Sequence, residues 1–282
     1  MTTLALSVPW PFERHYMQLA LLAGVVVGAT APLVGTFLVE RRLSLMGDGI
    51  GHVAFAGVAV GFLLDTSPLW TALVVAVAAA LIVDWLRTRE RATGDLALAL
   101  IFYAGLAAGI VIIGKSGSGS LAVNSYLFGS LLTLDDGDVW TVVGLGLTIV
   151  ATLALFGRAL FAIVLDDESA RVAGIPVRAC NALLAALTAI TVVAAMRAVG
   201  VLLVAALMVL PVASARVLAR SFRSTVSFAS AIGVIAVVGG LTAARQWDLK
   251  PGGAIVLSAA VIFVLSIASG ATLGQQTART EG

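Results

Sequence analysis

Apolar runs of about twenty residues recur along this chain, separated by short polar joints. A run of that length is what an α-helix needs to cross the roughly 30 Å hydrocarbon core of a bilayer. Lipid offers no water to a backbone amide, so a chain that crosses it repeatedly must satisfy its N–H and C=O groups inside helices. The runs cover about 17–39, 43–64, 69–86, 95–113, 135–156, 179–196, 199–217, 225–244 and 252–269. A further segment, 121–134, is too short to span. Pro211 inside the seventh run removes a backbone donor and predicts a bend or break there. Sixty per cent of the residues are apolar and 11% charged, against about 25% charged in soluble domains. The fold class expected is therefore an all-α polytopic membrane protein with 8–9 transmembrane helices. The expected division is an extracytoplasmic segment 1–16, a transmembrane domain 17–270 with a polar cytoplasmic loop at 157–178, and a tail 271–282.

The few charges orient the helices. With the joint at Arg41 and Arg42 in the cytoplasm, the inner side carries twelve basic residues and the outer side five. That asymmetry places the N-terminus outside and the C-terminus inside. Other classes drop out. A single cysteine, Cys180, excludes an intramolecular disulfide and a Cys-rich metal site. No basic stripe points to nucleic acid. Residues 1–17 lack the charged-then-apolar pattern of a cleaved signal.

Within the second run stand Asp48 and His52. Ionisable groups in a lipid-embedded helix are costly and mark function by default. Their i, i+4 spacing puts both on one helical face, about 6 Å apart along the axis. For a helix beginning at Arg42, His52 falls about 15 Å along it, near the bilayer centre. Gly47, Gly51, Gly57 and Gly61 predict close helix approach on one side. Two readings stand on these residues alone. Asp48 caps the helix and His52 bonds a neighbouring carbonyl, or both face a cavity and hold a metal ion. A metal wants three or four ligands, and the other histidine, His15, lies outside the runs. Further ligands would be carboxylates, carbonyls, waters or a second copy of the site.

The stretch from Leu38 to His52, with Gly57 after it, resembles the permease subunits of zinc/manganese-type ABC importers. Four further stretches resemble that family in the same order: Tyr126 to Ser130, Asp166 to Ile175, Val199 to Ala213 and Leu249 to Leu257. The resemblance covers about 17–269. It departs at Ala56, where many members carry proline, and that affects the helix shape without removing either ligand.

The resemblance implies a multi-pass permease of a prokaryotic cell membrane that dimerises with a second copy of itself. Its other partners would be two cytoplasmic ABC ATPase subunits and an extracytoplasmic metal-binding protein. Zn²⁺ or Mn²⁺ would be the transported substrate, with no cofactor permanently bound. Asp48 and His52 would be metal contacts in the translocation path. The loop with Asp166, Asp167, Glu168, Ala170, Arg171 and Gly174 would be the coupling helix that seats in the ATPase. The chain is expected to carry no phosphate-binding loop, so ATP hydrolysis falls to a separate subunit and the chain is not itself an enzyme. Two other transport readings compete: a permease for an iron-chelate or corrinoid ligand, and a self-contained metal channel or carrier. The first needs a wide cavity without midspan ligands, and the second more intramembrane ionisable groups than this sequence shows. An intramembrane hydrolase would want a second histidine or a paired carboxylate in the bilayer.

Overall fold

The computed structural model describes residues 12–88, 94–116, 125–129, 134–201 and 203–280. Most of the expected short segment 121–134 lies outside them. The helices are α1 (His15–Glu40), α2 (Met46–Leu63), α3 (Pro68–Thr88), α4 (Gly94–Ser116), α5 (Asp136–Leu165), α6 (Asp167–Val172), α7 (Val177–Met196), α8 (Val204–Leu218), α9 (Phe222–Trp247) and α10 (Pro251–Thr280). Eight of them are long and apolar enough to cross a membrane. The all-helical expectation of 8–9 spans is met.

The ninth crossing is α8. Fifteen residues of helix reach only about 22 Å, and the turns at 197–201 precede it. The break comes at Gly200, whose φ of +94° favours glycine. Pro211, expected to bend or break this run, sits inside the helical part. A β-carbon at Gly200 would run into the backbone of Phe128 and Gly129, and Gly129 is itself left-handed at φ +72°. Val201 N–H donates to the Tyr126 carbonyl at 2.9 Å. The chain leaves helical geometry here so that two backbones can touch.

Side-chain pairs identify the two ends of the bundle. At one end His15 meets Asp136 at 3.5 Å, and Arg197 pairs with Asp138. At the other, Arg216 meets Glu40 at 3.5 Å and Arg41 meets Asp167 at 3.0 Å. We call these the α1-start end and the α1-finish end. α8 finishes beside the finish of α1, so it completes its crossing.

Small residues set the packing. Gly24 and Gly28 of α1 lie against Val237 and Gly233 of α9. Pro32 cannot donate to the Gly28 carbonyl, and Gly233 covers that carbonyl closely enough that a β-carbon would collide with it. α2 is the most buried of the eight spans and packs among α3, α4, α7 and α8. Its glycines do not form one stripe. Gly47 and Gly51 face α8 and the turns before it, whereas Gly57 and Gly61 face α3. Ten residues separate Gly47 from Gly57, and at about 100° per residue the second pair is turned well away from the first.

Two boundaries differ from expectation. α5 continues past Phe156 to Leu165, since its apolar positions persist on both sides of Arg158. The polar loop expected at 157–178 therefore contracts to about 166–176. The polar tail is helical as far as Thr280.

Candidate functional site

The α1–α2 joint turns sharply at Arg42, with φ +58°, and α2 begins at Met46 rather than Arg42. Asp48 thus lies in the first helical turn, where a carboxylate complements the helix dipole. His52 is one turn on, about 9 Å from the helix start. The pair sits nearer the α1-finish end than the midplane position expected.

The two side chains converge. His52 Nε2 is 3.9 Å from Asp48 Oδ1, with the imidazole 11% exposed and the carboxylate 39%. At that distance they do not hydrogen-bond. The imidazole leans edge-on against Phe102 of α4, ring centroids 4.1 Å apart at 60°. Nδ1 of His52 is buried without a hydrogen-bond partner. The helix N-cap is Leu45, with no side-chain cap. Neither half of the capping reading is realised: Asp48 is not the cap, and His52 bonds no carbonyl. Two metal–ligand bonds of about 2.1 Å reach across at most about 4.2 Å, so one ion can touch both groups at a wide angle. Among the described residues no three His, Cys, Asp or Glu converge as a metal group. One chain brings only these two groups together.

The short helix α6, the stretch expected to couple to an ATPase, is built from its own sequence. Asp166 caps α6, accepting from Glu168 N–H at 2.9 Å and from Ser169 Oγ at 2.7 Å. These bonds, Ser169 first, hold its carboxyl below the usual carboxylate range. Ala170 is buried and anchors the helix. At the far end Ile175 N–H reaches back to the Ala170 carbonyl at 3.0 Å, and Gly174 takes the left-handed cap at φ +82°. Glu168 and Arg171 are exposed. Val172 is 90% exposed, an apolar side chain facing outward beside them.

Nothing local in the sequence marks Arg41 as the link between these two elements. Its guanidinium donates to Asn181 Oδ1 at 2.5 Å and to Asp167 Oδ2 at 3.0 Å. It follows α1 directly and leads through four residues into α2, so one side chain ties the start of the Asp48–His52 helix to the first residue of α6. A cavity of about 390 Å³ lies alongside, lined by Arg41, Met46, Asp84, Arg87, Asp167 and Arg178 among others. The partners span 126 and 140 residues, a separation that periodicity does not report.

One sequence expectation needs correction. Gly109 to Ser116 does spell the phosphate-binding pattern, with Gly109, Gly114, Lys115 and Ser116 at the required spacing. That motif works as a loop between a strand and a helix, where free N–H groups cradle phosphate. Here all eight residues lie at the C-terminal end of α4. Their amides serve the helix, and the dipole there repels an anion.

The comparisons with known proteins agree along the whole bundle. The profile described as "ABC 3 transport family" matches residues 13–270. The chain belongs to the ABC 3 transport family. Among family relatives, the manganese import system permease protein ScaB of Streptococcus parasanguinis is 32% identical over 254 residues, 90% of each chain. The high-affinity zinc uptake system membrane protein ZnuB of Haemophilus influenzae is 34% identical over 250 residues, 88% of this chain and 95% of ZnuB. A solved structure, PsaBC from Streptococcus pneumoniae in complex with Fab, superposes with a TM-score of 0.82 at 33% identity. It covers 90% of this chain and 91% of that one. The ABC 3 match takes in both the α2 pair and α6.

Proposed function

We propose that this chain is the membrane permease subunit of an ATP-driven importer of Mn²⁺ or Zn²⁺. The observation that carries the reading is the Asp48–His52 pair: a carboxylate and an imidazole on one face of the most buried span, in a family whose relatives are named as manganese and zinc permeases. Imidazole suits borderline metals and carboxylate harder ones. A bare divalent ion cannot enter hydrocarbon, and ligands partway across lower that barrier if they release it again. Two ligands per chain are too few. A homodimer with α2 beside its two-fold axis would join two pairs into four ligands. The α1-finish end, which holds Arg41, Arg87, Arg171, Arg178 and Arg216, then faces the cytoplasm. There α6 seats in a separate ATPase subunit, with Val172 and Arg171 as its outward contacts. A metal-binding protein delivers the ion at the opposite end.

The test is metal uptake by cells that express this chain with its ATPase and its binding protein. At equal membrane expression, His52→Ala and Asp48→Asn should each lower uptake of one metal tenfold or more, by the scale of losses at metal sites, while still assembling with the ATPase. Unchanged uptake in both variants would make the pair structural and overturn the reading.

A further inference from the structure

A second cavity, away from the Asp48–His52 pair and from α6, has a chemistry the transport reading does not use. α5 and α9 both pack on α1. Between them α1 floors a groove of about 890 Å³ near the α1-finish end. Gly146 and Gly28 draw α5 and α9 onto α1 at mid-helix. Toward the end, bulk holds the three apart. Phe222 meets Phe37 at 5.3 Å and Phe161 at 4.6 Å between ring centroids. The walls above these rings are Leu33, Leu153 and Val226.

The mouth is cationic. Arg158 and Arg223 both line the groove and are exposed. Neither has an acidic partner among the described residues. Ser221 adds a hydroxyl at the same rim. Beside the groove α5 and α9 present Leu155 at 76% and Phe228 at 46% exposure, surface that belongs against lipid in a membrane-spanning chain. An apolar slot open to the bilayer, with unpaired arginines at its polar end, has the charge and polarity of one kind of occupant. We propose that this groove is a binding site for an anionic phospholipid, with an acyl chain along Leu33 and Leu153 and the phosphate between Arg158 and Arg223. Basic pockets between membrane helices recognise lipid headgroups in this way. A second copy of the chain fits less well. An isologous contact centred here would set the arginines of one copy against those of the other, and no acid lines the groove to relieve them.

Gly157 provides a clean test. A β-carbon there meets nothing within 4 Å, so Gly157→Leu fills the groove without straining the helix. The full-length chain in detergent would be titrated with phosphatidylglycerol or phosphatidylcholine of identical acyl chains and read by native mass spectrometry. Wild type should retain phosphatidylglycerol in preference to phosphatidylcholine. Arg158→Gln with Arg223→Gln should weaken phosphatidylglycerol by roughly thirty-fold, the factor for two surface arginines, and leave phosphatidylcholine unchanged. Gly157→Leu should remove the tightly held lipid of either kind while the melting temperature stays at the wild-type value. Equal retention of both lipids, or phosphatidylglycerol binding unaffected by these variants, would overturn the proposal. So would a disulfide between two copies carrying Gly157→Cys in native membranes, which would make the groove a chain–chain interface. The native thiol, Cys180, is buried and leaves that readout clear.

Discussion

The two ends of the bundle are held shut by different means. At the α1-start end the closure is backbone on backbone. Gly129, Gly200 and Gly252 let 125–129, the turns before α8 and the start of α10 meet with no side chain between them. Arg197 and Asp138 pair there with side chains 12% and 15% exposed, and the guanidinium also stands 4.9 Å above the Tyr126 ring. At the α1-finish end the closure is side chain on side chain around open space. Arg41 holds Asp167, itself 43% exposed, beside a cavity. Contacts of the first kind have two arrangements, packed or parted, with little between. Those of the second kind can lengthen, exchange partners or admit water at small cost. An importer must open both ends in turn, so this asymmetry assigns the larger opening cost to the α1-start end. The Asp48–His52 pair lies nearer the softer one.

Breaking the buried pair tests the contrast hardest. Arg197→Ala removes the counter-charge of Asp138, a side chain 15% exposed, and leaves it only the Asp135 N–H and the start of α5, so a loss of about 3 kcal/mol is expected, read as lower yield and a lower melting temperature in detergent. Arg197→Met with Asp138→Asn should recover much of that loss, because both charges are removed while the amide oxygen can still accept from the Asp135 N–H. Recovery only by an opposite-charge swap would show that the pair contributes attraction rather than merely avoiding an orphaned charge. Gly200→Val comes next. It combines a left-handed backbone with overpacking against Phe128, for about 2–4 kcal/mol. The same substitution at Gly174 meets open space, so it should incur only the backbone share, about 1–3 kcal/mol. Equal losses at the two glycines would remove the packing half of the argument.

What the sequence made legible follows from what is local. Span length and the i, i+4 spacing of Asp48 and His52 each need one segment, and the structure keeps the helices and the convergence of that pair. The depth of His52 was not legible, because the left-handed Arg42 delays the start of α2 by four residues. Nor was the Arg197–Asp138 pair legible, because its two members lie 59 residues apart and neither segment carries a local sign of the other. The glycines of α2 read as a single stripe because the period was counted within each pair and not across the ten residues between them. The phosphate-binding pattern at Gly109 to Ser116 shows the converse, a local signal that its helical context empties.

At the softer end the effects shrink. Arg41→Ala removes two hydrogen bonds, one to Asn181 and one to the partly solvated Asp167, so stability should fall by only about 1 kcal/mol. Its consequence for function should be larger than for folding, since it severs the tie between α6 and the start of α2. ATPase activity of the reconstituted importer should persist while metal uptake per ATP falls. If both decline in proportion, Arg41 is structural and the tie carries no coupling.

The smallest effect belongs to Asp166, whose carboxyl is held below its ordinary range by Ser169 and the Glu168 amide. A lowered value in the folded state means that the cap contributes fully above the ordinary carboxylate value, about 3.9, and is lost as pH falls through the lower folded value. α6 should therefore stay capped from neutral pH to about pH 5 and fray only in stronger acid. Hydrogen exchange at Glu168 and Ser169, compared with Asp166→Asn at each pH, isolates this, because the intrinsic pH dependence of exchange is common to both. Asparagine also caps helices but has no proton to gain, so the two proteins should match at neutral pH and diverge below about pH 4. A difference already present at neutral pH would mean that the charge of Asp166, and not its hydrogen bonds alone, holds α6 in place.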